Sequence, residues 1–128
     1  MIFFLFLALS FQVSAQTESD SLFTEKISEL LNAGNLEETL KLTAERDSLT
    51  EMQKYLRGIA LYYTGKDSEA LKLFDEVIAA DSLSQGSRYF KSYIHFSKSE
   101  FDIALSTIND AIHVNAEDPD YWLLKGEI

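Results

Sequence analysis

Residues 55–74 read Tyr-Leu-Arg-Gly-Ile-Ala-Leu-Tyr-Tyr-Thr-Gly-Lys-Asp-Ser-Glu-Ala-Leu-Lys-Leu-Phe, with glycines at 58 and 65, an alanine at 70 and an aromatic at 74. Each small residue has a mechanical use. Gly58 lets a paired helix approach closely, and Gly65 can take the positive φ that closes a first helix. Ala70 is small where a second helix crosses the first, and Phe74 fills the gap beside it. Asp67, two residues past Gly65, is placed to accept hydrogen bonds from the free N–H groups of the helix it starts, a cap worth about 1 kcal/mol. The spacing predicts two antiparallel helices near 51–64 and 67–80.

The same pattern recurs along the chain. Thirty-four residues on, Tyr55 falls on Tyr89, Tyr62 on Phe96, Ala70 on Ala104, Leu71 on Leu105 and Ile78 on Ile112. A second step carries Gly58 to Gly126 and Lys54, through Arg88, to Trp122. A fixed period with matched small and large residues marks a stacked-repeat architecture. These intervals resemble the tetratricopeptide repeat (TPR). The resemblance implies an all-α chain of helix-turn-helix units stacked as a right-handed solenoid.

On that frame the units are 21–50 (divergent and poor in aromatics), 51–84 and 85–118, with 119–128 as the first helix of a further unit. In the divergent unit Leu22, Phe23, Ile27, Leu30 and Leu31 recur at helical spacing, and Gly34 is the expected cap. Thr39 follows Gly34 by five residues, as Ala70 follows Gly65. In the third unit Ser99 stands where Gly65 would fall. A non-glycine at positive φ is strained, so a looser or differently shaped turn is expected there. Pro119 opens the last helix, where a first turn tolerates it. That helix carries Trp122, Leu123, Leu124 and Ile128 with no partner after it, which reads as a longer array cut short.

Met1 to Ala15 is apolar, has no charged side chain, and ends Val-Ser-Ala. It reads as a signal peptide cleaved after Ala15, although no Lys or Arg precedes the apolar run. Residues 16–20 read as a disordered lead. The protein is thus expected to be exported, periplasmic or secreted, in the manner of exported bacterial repeat proteins, with no stable membrane insertion after cleavage.

Composition narrows the functions. The 128 residues hold 21 Asp and Glu against 11 Lys and Arg, a formal charge of -10. Such a surface repels phosphate backbones, and no basic cluster with interleaved aromatics offsets it, so nucleic acid is not an expected partner. With no Cys there is no thiol nucleophile, disulfide or Cys-based metal site. His95 and His113, eighteen residues apart, do not have a metal spacing; His95 is expected in or beside the core and His113 on the surface. No phosphate loop, His-Glu-x-x-His or Gly-x-Ser-x-Gly stretch occurs. Neither a catalytic residue nor a cofactor is expected.

The resemblance implies that first helices line a concave groove. The groove positions are then Met52, Tyr55, Ile59, Tyr62, Tyr89, Tyr93 and Phe96, with Tyr62 and Phe96 also fitted to pack between helices. This wall would be aromatic and nearly uncharged, the charge lying on the convex second helices. In some tetratricopeptide proteins Lys, Asn and Arg there grip a C-terminal carboxylate; Thr24, Ser28, Tyr55, Ile59, Tyr89 and Tyr93 occupy the comparable places and supply no cation. Heat-shock-protein tails are therefore not expected ligands. The leading expectation is a non-catalytic scaffold binding a protein or peptide outside the cytoplasm. The alternatives are a sensory segment of a membrane-bound regulator, and substrate-positioning repeats of an enzyme whose catalytic domain lies downstream.

Overall fold

The computed structural model describes residues 2–81 and 84–128, with side chains from residue 16 onward. Among these residues there are seven helices and no strand: α1 (Ile2–Asn32), α2 (Leu36–Ala44), α3 (Glu51–Tyr63), α4 (Asp67–Ala80), α5 (Gln85–Ser97), α6 (Phe101–Val114) and α7 (Pro119–Glu127). Each helix packs against the next in the chain, and α1 also packs against α3.

Three tight turns make the pairs. After α1, Gly34 N–H donates to Leu31 O and Asn35 N–H to Leu30 O. After α3, Gly65 and Lys66 repeat the arrangement onto Tyr62 O and Leu61 O, and after α5, Ser99 and Glu100 repeat it onto Phe96 O and His95 O. This double bond pattern satisfies carbonyls that a helix end leaves free, and it needs a left-handed residue at its centre. Gly34 and Gly65 sit at φ +79°, Ser99 at φ +61°. The third turn is therefore not looser. Ser99 accepts the strain and keeps the glycine geometry. At the start of α4 the cap differs from expectation: Lys66 is the N-cap and makes no side-chain cap bond, so Asp67 lies inside the first turn. There its charge favours the helix dipole instead.

The core follows the small residues. Ala70, Phe74, Leu61 and Ile94 form one buried cluster between α3, α4 and α5. Ile108, Ala111, Ile112, Tyr121 and Leu124 form a second between α6 and α7. A Cβ on Gly58 would stand 2.7 Å from Cε1 of Phe74, so what this glycine admits is the Phe74 ring. One period later the equivalent place is Ser92, which is fully buried and donates Oγ to Ala104 O at 2.7 Å. Its hydroxyl is satisfied on the opposing helix, so burial costs little.

The first pair is held differently, through polar atoms. Gln53 is fully buried, and its amide Nε2 donates to Asp20 O at 3.2 Å and Thr24 Oγ1 at 3.0 Å. Its Oε1 accepts from Thr50 N–H at 3.1 Å, closing a capping box at the start of α3. Arg57 donates to Leu40 O at 2.8 Å and Thr43 Oγ1 at 2.6 Å. Arg46 pairs with Asp20 and lies 4.2 Å over the Phe23 ring.

Residues 16–20, expected as a disordered lead, are therefore helical, and Asp20 is bonded to two later elements. The side chains of the expected signal peptide, 1–15, lie outside those described. No helix of the described residues is long and apolar enough to cross a membrane.

Candidate functional site

Along α3, residues 52, 56, 59 and 63 fall on one stripe by their spacing of four, three and four. This stripe faces α1 and the turn after it across two hollows. One, of about 560 Å³, is lined by Ser21, Thr24, Glu25, Ser28, Met52 and Leu56. The other, of about 550 Å³, is lined by Leu31, Asn32, Gly34, Leu36, Ile59, Tyr63 and Phe90. Met52 and Ile59, two of the expected groove residues, thus line the furrow between α1 and α3. Met52 is exposed and Ile59 half-buried.

The remaining candidates belong to a run of rings across α3, α5 and α7. Tyr62 meets Tyr63 at 5.0 Å between centroids, Phe90 at 5.4 Å and Tyr93 at 6.0 Å. Tyr93 continues to Tyr89 at 6.4 Å, and Tyr89 to Tyr121 of α7 at 5.8 Å. Tyr93 also meets Phe96 at 6.3 Å, and Phe96 meets Phe101 at 6.1 Å. Edge and tilted contacts of this kind suit the quadrupoles of neighbouring rings. Tyr62, Tyr89, Tyr93 and Phe96 are half-buried, so each packs on one face and keeps another accessible. Phe96 leans on the second core cluster as Tyr89 and Tyr93 do.

Tyr55 is placed differently from its expected neighbours on the wall. It packs against Phe74 at 6.2 Å and Phe90 at 6.3 Å, and its hydroxyl sits against Gly86. It is mainly a spacer between α3 and α5. Three ring-bearing residues escaped the sequence reading. Phe90 stacks on Phe74 at 5.6 Å with 11° between planes and also lines the second hollow. Tyr63 is 62% exposed at the end of α3. Tyr121 is buried at the α7 end of the ring run. The signal available for Tyr121 was its position one residue before Trp122, in a helix start already aligned to the period.

At the α7 end of the ring run, α7 and its cap carry the carboxylates Asp118, Asp120 and Glu127 and the cation Lys125. Asp118 caps α7 by accepting Asp120 N–H at 3.0 Å. Burial pushes the Tyr89 and Tyr121 phenols up from their ordinary range; Asp120 and Glu127 add to this at Tyr89, and Asp118 and Asp120 at Tyr121. Tyr62 is pushed up by burial and, among other groups, by Asp67. A phenolate there would be poorly solvated and would face carboxylates, so the rings stay neutral hydrogen-bond donors well past physiological pH. His95, half-buried, places Nδ1 3.2 Å from Glu100 Oε2, and His113 is exposed. No group of His, Asp and Glu among the described residues is arranged to hold a metal ion.

Paired helices, glycine-type turns and the packing of each helix on the next define an all-α, TPR-like repeat fold. No protein-family model matches the chain, and no curated protein matches its sequence. Among solved structures it is similar to PcrH, as crystallised in complex with the chaperone binding region of PopB. The TM-score is 0.71 at 15% identity, over 86% of this chain and 91% of that one. The likeness carries the fold. Nothing in this likeness supports the expectation of an exported, periplasmic or secreted protein, and that placement does not stand.

Proposed function

We propose that this protein is a non-catalytic scaffold that binds a peptide segment of a partner protein in the groove formed by α1, α3, α5 and α7. The observation that carries the reading is the unbroken ring run Tyr63–Tyr62–Tyr93–Tyr89–Tyr121 across three successive first helices, bordered by an apolar hollow at one end. Tyrosine offers large area and a hydroxyl at low entropic cost, which suits a binding wall. Met52, Ile59, Tyr62, Tyr89, Tyr93 and Phe96 are the contact residues on this reading, with Tyr55 supporting them from behind. PcrH, of similar fold, was crystallised with a segment of another protein, which supports the same use here.

The test is selection of random peptides displayed on phage against the full chain, followed by anisotropy measurements on the selected peptides. Tyr93→Ala is expected to weaken them by about tenfold or more, the scale of one anchor residue. Peptides that bind Tyr93→Ala and Tyr89→Ala chains unchanged, yet are lost when Asp75 and Glu76 are neutralised, would move the site to the second helices.

A further inference from the structure

The groove has two unlike ends, and the inference drawn from them rests on the peptide reading above. At the α1/α3 end the hollow is lined by Leu31, Asn32, Leu36, Ile59, Tyr63 and Phe90, and no ionisable carboxylate or cation lines it. A large aliphatic or aromatic side chain suits it, and a charged one would lose its hydration without a partner. At the α7 end Asp118, Asp120 and Glu127 lie on one short helix whose Tyr121 closes the ring run. Asp120 and Glu127 act on the Tyr89 phenol and Asp118 and Asp120 on that of Tyr121, and the three carboxylates outnumber the one cation of α7, Lys125, which lies 5.4 Å over the Trp122 ring.

Several of the chain's cations are engaged elsewhere. Lys54 is held by Glu51 and Glu76, Lys91 by Asp75, Arg46 by Asp20, and Arg57 by Leu40 O and Thr43. From the hollow to α7 the rings step from Phe90 to Tyr89 at 5.6 Å and from Tyr89 to Tyr121 at 5.8 Å. An extended chain advances about 3.3 Å per residue, so each step takes about two residues.

We propose that the groove takes an extended segment with one large apolar side chain seated in the α1/α3 hollow and a Lys or Arg within about six residues of it, facing the carboxylates of α7. Charge complementarity selects this occupant. A segment acidic at that end would meet three carboxylates against the single Lys125, on a chain of net charge -10.

The same phage display of random dodecapeptides tests this, run in parallel on the unaltered full chain and on an Asp118→Asn, Asp120→Asn, Glu127→Gln chain. Asn remains a good cap at position 118, so α7 is expected to persist, and circular dichroism checks it. On the unaltered chain the selected pool should be rich in Leu, Ile, Val or Phe with Lys or Arg within six residues, and poor in Asp and Glu. On the neutralised chain the apolar preference should remain and the Lys/Arg preference should vanish. A charge-blind pool on the unaltered chain, or an equal Lys/Arg preference on both, overturns this inference and leaves the groove reading standing. No selective pool at all, or one indifferent to Tyr93→Ala, brings down the groove reading and this inference with it.

Discussion

The hydroxyl of Tyr55 lies against the α-carbon of Gly86, so closely that a Cβ at position 86 would stand 2.4 Å from it and 2.9 Å from the ring carbon that bears it. The ring cannot yield freely, because Phe74 and Phe90 flank it at 6.2 and 6.3 Å. Gly86→Ala should therefore cost about 1–3 kcal/mol through overpacking. In a Tyr55→Phe background the cost should shrink, since the closest atom is gone. Urea unfolding of the four chains of this cycle measures the coupling. Equal costs in both backgrounds would mean that α5 is not seated on Tyr55.

Ser99 offers the opposite change. It holds φ +61° in a turn whose equivalents are Gly34 and Gly65, so Ser99→Gly should relieve strain and stabilise the chain by about 1 kcal/mol. Gly65→Ser should destabilise by a similar amount. Parallel urea titrations decide this, and a loss of stability in Ser99→Gly would show that the hydroxyl, not the backbone, is what the site selects.

Alkaline pH should weaken the fold. Burial raises the phenols of Tyr55, Tyr62, Tyr89 and Tyr121 above their ordinary value near 10. Above about pH 10 the unfolded chain sheds these protons before the folded one, so it binds fewer protons and stability falls as pH rises. The contribution is complete below that pH and is lost as pH climbs through the folded values. Thermal melts between about pH 8 and 11 should show Tm falling at the upper end, less so in Tyr89→Phe. A Tyr89→Phe chain with an unchanged alkaline slope would remove Tyr89 from the account.

The glycine turns at 34 and 65 and the small residues at 58, 70 and 104 were legible because their causes are local and recur at 31 or 34 residues. What escaped depends on distant partners. Gln53 is buried only because Asp20 and Thr24, some 30 residues earlier, accept its amide hydrogens. A reading that places 16–20 outside the fold cannot see that bond. Phe90 stands one period after Leu56 and one before Leu124, so its apolar character recurs, but nothing in that spacing announces a ring stacked on Phe74. At α7 the eye goes to Trp122, which is half exposed with Nε1 donating to Ala116 O at 2.7 Å, while Tyr121 beside it is buried. The repeat pattern puts the charge on the second helices, whereas Asp118, Asp120 and Glu127 belong to α7 and its cap, the helix whose Tyr121 ends the ring run.

Gln53 should behave as a structural pin. Gln53→Ala removes two bonds to α1 and half of the capping box, while Thr24 Oγ1 keeps its own bond to Asp20 O at 2.7 Å. The expected loss is about 2–4 kcal/mol, from the cavity and the missing bonds together. Hydrogen exchange should locate the loosening in α1 and α2 and spare α5 to α7. Uniform loosening would mean that the first pair is not separately held.

The exposed and the packed tyrosines of α3, Tyr63 and Tyr55, should separate binding from stability. Tyr63 is 62% exposed, touches Tyr62 and Phe90 by its ring, and lines the apolar hollow. Tyr55 is wedged against Phe74, Phe90 and Gly86. Truncating an exposed ring leaves the core intact, whereas truncating a packed one opens a cavity that its neighbours fill poorly. Tyr63→Ala is therefore expected to keep its urea midpoint and to weaken a groove-selected peptide by about 1–2 kcal/mol. Tyr55→Ala should lose about 3 kcal/mol of stability before any effect on binding can be read. Anisotropy titrations at a temperature where both chains are folded make the comparison. A Tyr63→Ala chain that binds at full strength while Tyr55→Ala, still folded, does not would return Tyr55 to the wall and take Tyr63 off it.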